Sequence, residues 1–150
     1  MEIHHDFSEL LSEFIAEGVK FLVVGGYAVG VHARPRMTKD LDLFIARDAE
    51  NAARVYRALA NFGAPLAGVT ENDFTSDDLI YQMGRPPVRI DVITAIEGVS
   101  FDDAWEGRLT LAVAGMEVPV IGKRELVRNK TAVGRPQDLA DVDAIMKFSP

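Results

Sequence analysis

Cysteine is absent from this sequence of 150 residues. Its absence excludes a disulfide framework and any zinc site built on thiolates. Long apolar runs are absent too, since the longest, Phe21–Val31, contains three glycines and is too short to cross a bilayer. The acidic, polar start MEIHHDFSELLSEF is unlike a secretory signal. We therefore expect a cytoplasmic protein with no membrane partner.

Positive charge is scarce, because 16 Lys and Arg stand against 23 Asp and Glu, a net charge of −7. A protein that coats nucleic acid indiscriminately would carry the opposite balance. The basic residues nevertheless concentrate in two clusters, namely Arg34, Arg36 and Lys39, and Lys123, Arg124, Arg128, Lys130 and Arg135. Two local patches on an acidic chain favour a small anionic ligand, although solvated surface explains either patch alone.

The common glycine-rich nucleotide motifs are also missing. Neither G-x-x-x-x-G-K-[ST] nor G-x-G-x-x-G in a dinucleotide-binding context occurs. The chain does contain 48% hydrophobic residues, which predicts a folded globular protein, and its length suits one core. Since it shows no repeat, low-complexity segment or linker, residues 1–150 are expected to form a single domain.

Helical and strand patterns alternate along the chain. The first predicted helix begins at a capping box, Asp6 with Glu9, and ends at Gly18. Further helices are predicted over Tyr27–Ala33, Ala49–Phe62, Lys123–Ala132 and Pro136–Phe148. Strands are predicted over Val19–Val24, Asp40–Ile45, about Leu79–Met83 and Val88–Thr94, with a hairpin around Ala114-Gly115. The remainder of residues 64–87 is expected to be loop. The fold class is therefore α/β or α+β, a small mixed β-sheet flanked by helices.

Asp40 and Asp42 lie in an otherwise apolar strand, DLDLFI. Side chains at positions i and i+2 of a strand point to the same face, roughly 6–7 Å apart along the backbone. Carboxylates held in this way can converge on Mg²⁺, which prefers oxygen ligands. Alternating aspartate on a half-exposed strand is the simpler interpretation of this motif when it is taken alone.

Asp91 strengthens the case for a metal site. It lies in the middle of VRIDVIT, where an acid is a poor strand former and is costly to bury. If this strand lies beside the Asp40–Ile45 strand, three carboxylates meet and require cations to neutralise them. A salt bridge from Asp91 to Arg89 or Arg85 is the competing interpretation.

Gly25 and Gly26 follow a strand and precede a helix. Glycines at such a position allow the backbone to approach a phosphate, with the N–H groups of the helix pointing at it. A Gly-Gly pair alone is most often only a turn.

The order of these features resembles the nucleotidyltransferases of the DNA polymerase beta superfamily, whose motif is an apolar strand, Gly-Gly or Gly-Ser, a spacer and Asp-x-Asp. The chain is also similar to small nucleotidyltransferase-like proteins akin to the toxin of abortive-infection toxin–antitoxin systems. Their Arg-x-Thr/Ser-x-Asp-x-Asp stretch is matched by Arg36, Thr38, Asp40 and Asp42. Their later Lys…Arg-Pro-x-Asp-Leu segment is matched by Lys130, Arg135, Pro136, Asp138 and Leu139.

This resemblance implies a minimal nucleotidyltransferase fold with two C-terminal helices. It also implies Mg²⁺-dependent transfer of a nucleoside monophosphate from a nucleoside triphosphate to a hydroxyl group, with a two-metal site that could also take Mn²⁺. The implied metal ligands and catalytic residues are Asp40, Asp42 and Asp91. The implied nucleotide-binding residues are Gly25, Gly26, Arg36, Thr38, Lys130, Arg135 and Asp138.

Other features stay open. The acceptor is RNA such as tRNA, a protein or a small molecule, and an antitoxin or helical partner protein is possible. A binding module of the same fold with weak or no catalysis is the alternative function. The three histidines are not expected to bind metal, and Phe101 and Trp105 are expected to pack in the core. Tyr27 is either a packing residue or a lid on the site.

Overall fold

The computed structural model describes residues 3–34, 40–85 and 88–148. Within these ranges the helices are α1 (His5–Ala16), α2 (Gly25–His32), α3 (Ala49–Phe62), α4 (Phe101–Glu106), α5 (Lys123–Val133) and α6 (Pro136–Lys147). The strands are β1 (Phe21–Val24), β2 (Asp40–Ile45), β3 (Ile80–Arg85), β4 (Val88–Ile93), β5 (Leu109–Val113) and β6 (Met116–Val120). A 3₁₀ segment, Glu71–Thr75, precedes β3.

The described strands form one six-stranded mixed sheet in the order β3-β4-β2-β1-β6-β5. Strand β1 runs antiparallel to β2 and parallel to β6, whereas β2 and β4 are parallel. The two hairpins, β3–β4 and β5–β6, form the two edges of the sheet. The mixed sheet and the two C-terminal helices confirm the predicted fold class.

One face of the sheet forms the main core. On β2, Leu41, Leu43 and Ile45 are fully buried because alternate residues of a strand point to one side. Helices α1 and α3 pack together. The ring of Phe14 on α1 meets Phe21 edge-on at 5.3 Å, and Phe21 pairs with Ile45 across the strands. The intervening positions of β2, which are Asp40, Asp42 and the buried Phe44, therefore face the opposite side.

Most predicted elements are present with shifted ends, and the start of α1 was predicted wrongly. Nδ1 of His4, rather than the side chain of Asp6, caps this helix by accepting a hydrogen bond from the Asp6 backbone N–H at 3.1 Å. Strand β1 begins only at Phe21, and α2 begins at Gly25 rather than at Tyr27. The two glycines thus form the first turn of the helix instead of a loop before it.

Helix α4 and the 3₁₀ segment Glu71–Thr75 are the elements that the sequence patterns did not predict. Helix α4 is only six residues long and is capped by Ser100, whose Oγ accepts a hydrogen bond from the Asp103 N–H. Phe101 packs edge-on against Phe44 at 5.1 Å and stacks on Trp105 at 5.7 Å. Both rings are partly buried and pack against the core, whereas the sequence predicted them within it. None of the described helices is both long and apolar enough to span a bilayer.

Candidate active site

The three predicted acids come together because β4 pairs directly with β2. In this parallel ladder Asp42 lies opposite Asp91, and Asp40 lies opposite Arg89. Cross-strand partners share a face, as do residues two positions apart on a strand. The three carboxylates and the Arg89 guanidinium therefore occupy one face of the sheet. The condition on which the sequence prediction depended, that the two strands are neighbours, is met.

The crowding of these acids affects the pKa of Asp42. Burial, the negative charges of Asp91 and Asp40, and a hydrogen bond with Asp91 raise the pKa of Asp42 to about 6, while the positive charge of Arg89 opposes the shift. A carboxylate desolvated beside two others is stabilised when it gains either a proton or a cation. Additional positive charge would therefore stabilise the site near neutral pH.

Arg89 supplies part of the positive charge at the site. Its Nη2 atom lies 3.4 Å from Oδ2 of Asp91 and 3.5 Å from Oδ2 of Asp40. The carboxylate cluster and the salt bridge, which the sequence left as alternatives, thus exist together. Among the described residues, Nε of Arg89 and Oδ1 of Asp91 are buried and have no hydrogen-bond partner.

Gly25 lies against the acid cluster. Its φ of +66° is a backbone conformation that residues with side chains rarely adopt. A Cβ atom placed on Gly25 would collide with Oδ2 of Asp42 and lie 3.0 Å from its Cγ. Only a glycine lets the start of α2 approach this carboxylate so closely, and the first N–H groups of a helix have no intrahelical acceptor.

The residues present fit a divalent cation by the chemistry of their donor atoms. They are oxygen donors grouped on one face, and one buried oxygen, Oδ1 of Asp91, has no hydrogen-bond partner in the described part of the chain. In the described part of the chain, no three acidic or histidine side chains are already arranged to hold a metal ion. Arg89, which contacts both Asp40 and Asp91, lies among these donors.

The predicted residues of the C-terminal helices form a second cluster between α5 and α6. Nζ of Lys130, a residue only 9% exposed, lies 3.3 Å from Oδ1 of Asp138 and 3.1 Å from Oδ2 of Asp141. Nε of Arg135 donates to Oδ2 of Asp138 at 2.7 Å. This hydrogen bond, together with Lys130, holds the pKa of Asp138 below its usual value despite burial.

A family model matches residues 3–150, and the family is described as nucleotidyl transferase of unknown function (DUF2204). The chain belongs to this nucleotidyl transferase family. The prediction that the chain is a nucleotidyltransferase is thereby confirmed for the family and the enzyme class. Among curated proteins none matches the chain significantly.

Several solved structures share the fold of this nucleotidyl transferase. The Thermotoga maritima protein TM1012, described as a nucleotidyltransferase, has a TM-score of 0.61 at 13% identity, with 91% of this chain and 88% of that chain covered. The lincomycin-bound lincosamide antibiotic adenylyltransferase LnuA has a TM-score of 0.55 at 15% identity, with 98% of both chains covered. ANT(2")-Ia in complex with adenylyl-2"-tobramycin has a TM-score of 0.59 at 14% identity, with 93% and 84% covered. At these identities the likeness concerns the fold.

Two residues of the predicted nucleotide-binding set, Arg36 and Thr38, lie outside the described residues of this nucleotidyl transferase. Tyr27, which the sequence left as either a packing residue or a lid, packs against the core. Tyr27 meets the ring of Phe7 edge-on at 5.9 Å, and burial raises the pKa of its phenol. Nε2 of His32 lies 2.7 Å from the carbonyl oxygen of Ile121, which ties the end of α2 to the end of β6.

Asp141 is the residue that sequence reasoning missed. It is 2% exposed, and besides Lys130 it accepts a hydrogen bond from Nε2 of Gln137 at 2.9 Å. A signal was available, because Asp138 and Asp141 are three residues apart on a predicted helix and therefore share a face. In the structure both acids are buried, and Lys130 is the cation that pairs with them.

Proposed function

We propose that this protein is a Mg²⁺-dependent nucleotidyltransferase that transfers a nucleoside monophosphate from a nucleoside triphosphate to a hydroxyl acceptor. The observation that carries the proposal is the direct pairing of Asp42 with Asp91, with Gly25 pressed against the Asp42 carboxylate. Buried like charges are costly to maintain in a fold, so a cluster of this kind is expected where the charges have a function.

Asp40, Asp42 and Asp91 are the residues that would hold Mg²⁺, or Mn²⁺ in its place. When bound, divalent ions stabilise the developing charge on the attacking and leaving oxygens of an in-line displacement. Asp42 suits this role because burial and repulsion from the neighbouring acids raise its pKa, and a bound cation offsets that repulsion. Besides burial, the raised pKa of Asp42 reflects the repulsion between the carboxylates that a bound cation would reduce.

The start of α2 would bind the phosphates of the nucleotide. Gly25 and Gly26 belong to the first turn of this helix, where N–H groups lack intrahelical acceptors and favour anions. The close approach of Gly25 to Asp42 brings these donors beside the acids. Arg36 and Thr38 are proposed to support the triphosphate, as their place in the motif implies.

In the proposed reaction the acceptor oxygen forms a bond to the α-phosphorus, and the bond from that phosphorus to the pyrophosphate oxygen breaks. The proton of the acceptor hydroxyl passes to a carboxylate oxygen. Asp91 is the proposed base, since its Oδ1 is buried without a hydrogen-bond partner among the described residues. Pyrophosphate leaves with the electron pair of the broken bond.

The cluster between α5 and α6 is proposed to contact the nucleotide or acceptor through Arg135, with Lys130 and Asp138 holding Arg135 in position. The side chain of Arg135 is 72% exposed and can contact a ligand. Lys130 and Asp138 are buried partners of each other, and Asp138 orients Arg135 by accepting its Nε–H. These two residues therefore support the exposed guanidinium.

The acceptor is proposed to be a hydroxyl of a small molecule, a tRNA or a protein, as the motifs imply. The acidic net charge of −7 disfavours a long RNA acceptor. The neighbours that carry lincomycin and adenylyl-2"-tobramycin show that this fold accommodates small acceptors. A role as the toxin of a toxin–antitoxin pair in the cytoplasm stays a prediction.

The test uses two labels on one nucleoside triphosphate. Protein, Mg²⁺ and a panel of acceptors (aminoglycosides, lincosamides, pooled tRNA and the protein itself) are incubated with α-labelled or γ-labelled triphosphate. Label from the α position should reach an acceptor, whereas label from the γ position should leave as pyrophosphate. Asp42→Asn should abolish transfer, and Asp102→Asn, an exposed acid on α4, should not.

The outcomes separate the proposed enzyme from the binding module. Transfer of γ label would indicate phosphoryl transfer and contradict the proposal. Calorimetric binding of triphosphate and Mg²⁺ without transfer to any acceptor would favour the module. If the wild-type protein binds neither ligand at millimolar concentration, the proposed enzyme function is wrong.

A further inference from the structure

Arg89 is placed where a cation is needed. We propose that, in the metal-free protein, its guanidinium occupies the place between Asp40 and Asp91 that a divalent cation takes, so that the metal must displace Arg89 in order to bind. Arg89 is then a positioning residue that sets the metal affinity of the site. This inference rests on the proposed metal-dependent function.

The geometry provides the first argument. Arg89 faces Asp40 across the ladder and lies two residues before Asp91, so its side chain leaves the same face as both acids. The same Nη2 atom lies within 3.5 Å of Oδ2 of each carboxylate. One nitrogen that contacts both acids stands in for the positive charge that a bridging metal would supply.

The quality of these contacts provides the second argument. Charge-assisted N–H···O bonds are normally about 2.7–2.9 Å long. The contact of Arg135 with Asp138 reaches 2.7 Å, whereas those of Arg89 are 3.4 and 3.5 Å. The buried Nε of Arg89 also lacks a hydrogen-bond partner among the described residues. Arg89 thus neutralises the acids without being locked to them.

The surroundings of Arg89 allow it to move. Its side chain is 35% exposed, so a path to solvent is open. Its neighbour on the other strand, Gly84 of β3, has no side chain that could hold the guanidinium in place. A divalent cation can therefore exchange with the guanidinium without rearrangement of the strands.

If the metal displaces Arg89, the variant Arg89→Gln should be less stable without metal but should bind metal more tightly. Without metal, the variant loses the cation that offsets the acids, so its melting temperature in EDTA should fall. With metal, the variant has no competitor to displace, so its affinity for Mn²⁺ should rise roughly tenfold, the size expected from one charge-assisted interaction. A merely structural role would lower stability without tightening metal binding.

Arg85→Gln is the matched control. Arg85 is exposed on β3, and alternation along the strand directs it to the face opposite the acids. The variant removes the same unit of positive charge, so it measures the general effect of net charge on the affinity for Mn²⁺. We expect that effect to be less than about twofold in 0.15 M salt, where a Debye length of about 8 Å screens distant charges.

The experiment titrates nucleotide-free wild type, Arg89→Gln and Arg85→Gln with Mn²⁺, and free Mn²⁺ is measured by electron paramagnetic resonance. Tighter binding by Arg89→Gln alone supports displacement. Equal or weaker binding than wild type overturns it, while the metal site itself survives. If none of the three proteins binds Mn²⁺ at millimolar concentration, the proposed metal-dependent function fails, and the inference fails with it.

A measurement on the wild-type protein covers the case in which Arg89→Gln does not fold. The Nε–H signal of Arg89 in a ¹H–¹⁵N spectrum can be assigned by its loss in Arg89→Lys. Addition of Mg²⁺ should shift this signal as the guanidinium leaves Asp40 and Asp91. A signal that stays unchanged while Mg²⁺ saturates the acids would show that Arg89 is not displaced.

Discussion

Replacing Asp42 with asparagine should stabilise the metal-free protein while ending its transfer activity. In the folded state burial and the neighbouring acids raise the pKa of Asp42 from 3.8 to about 6. In the unfolded chain the carboxyl returns to its ordinary pKa, so the unfolded state ionises first as the pH rises. The ionised form is therefore penalised in the folded state, and the amide escapes that penalty.

The magnitude follows from the size of the shift. About two pKa units at 1.36 kcal/mol each correspond to about 3 kcal/mol of free energy of unfolding, present in full only above pH 6. Below pH 3.8 the carboxyl is protonated in both states and the penalty vanishes. Because the buried amide keeps a desolvation cost of its own, we expect a gain of about 1–3 kcal/mol at pH 8.

The assay is urea denaturation of wild type and Asp42→Asn in EDTA at pH 8 and pH 4. The variant should be the more stable protein at pH 8, and the difference should shrink towards zero at pH 4. Asp102→Asn, at an exposed acid, should change neither value by more than about 0.5 kcal/mol. A variant that is less stable than wild type at pH 8, or a gain independent of pH, would refute the reasoning.

Three further perturbations test other parts of the structure. Gly25→Ala adds a collision with the acid cluster to a positive φ, so calorimetry should show a larger loss of stability than the about 1–2 kcal/mol expected for Gly68→Ala, where φ is also positive but the space is open. Lys130→Met removes the buried cation that Asp138 and Asp141 share and should cost about 3–5 kcal/mol in urea denaturation, whereas Lys147→Met, on an exposed pair, should cost less than about 1 kcal/mol. The pKa of Asp138 is lowered in the folded protein, so the stability that this residue contributes is present above pH 3.8 and is lost as the pH falls through its native pKa. The free energy of unfolding of Asp138→Asn should therefore approach that of wild type in acid. A difference between the two proteins that does not change with pH would contradict this.

The predictable part of the site was local. Asp40 and Asp42 share a face because a strand alternates with a period of two, and this holds wherever the strand lies in the sheet. Gly25 was recognisable because strand-to-helix junctions that need positive φ favour glycine. The short α4 was missed because its six residues are too few to show a helical period.

Contacts between distant segments were harder to predict. The sequence left Asp91 with two alternatives, an acid cluster or a salt bridge, and both occur together in the structure. Asp141 was overlooked because its partner Lys130 lies on another helix. The nucleotide-binding roles proposed for Lys130, Arg135 and Asp138, and the single-domain organisation, stay predictions.

The sequence by itself determined the family, the strand that carries two acids on one face, and the glycine pair between the first strand and the next helix, because each depends on residue type and spacing within one segment. Only the tertiary structure decided that β4 lies parallel to β2 with Asp91 opposite Asp42, and that Arg89 lies between Asp91 and Asp40. Strand order and register depend on which apolar faces can be buried together, which is a property of the whole sheet.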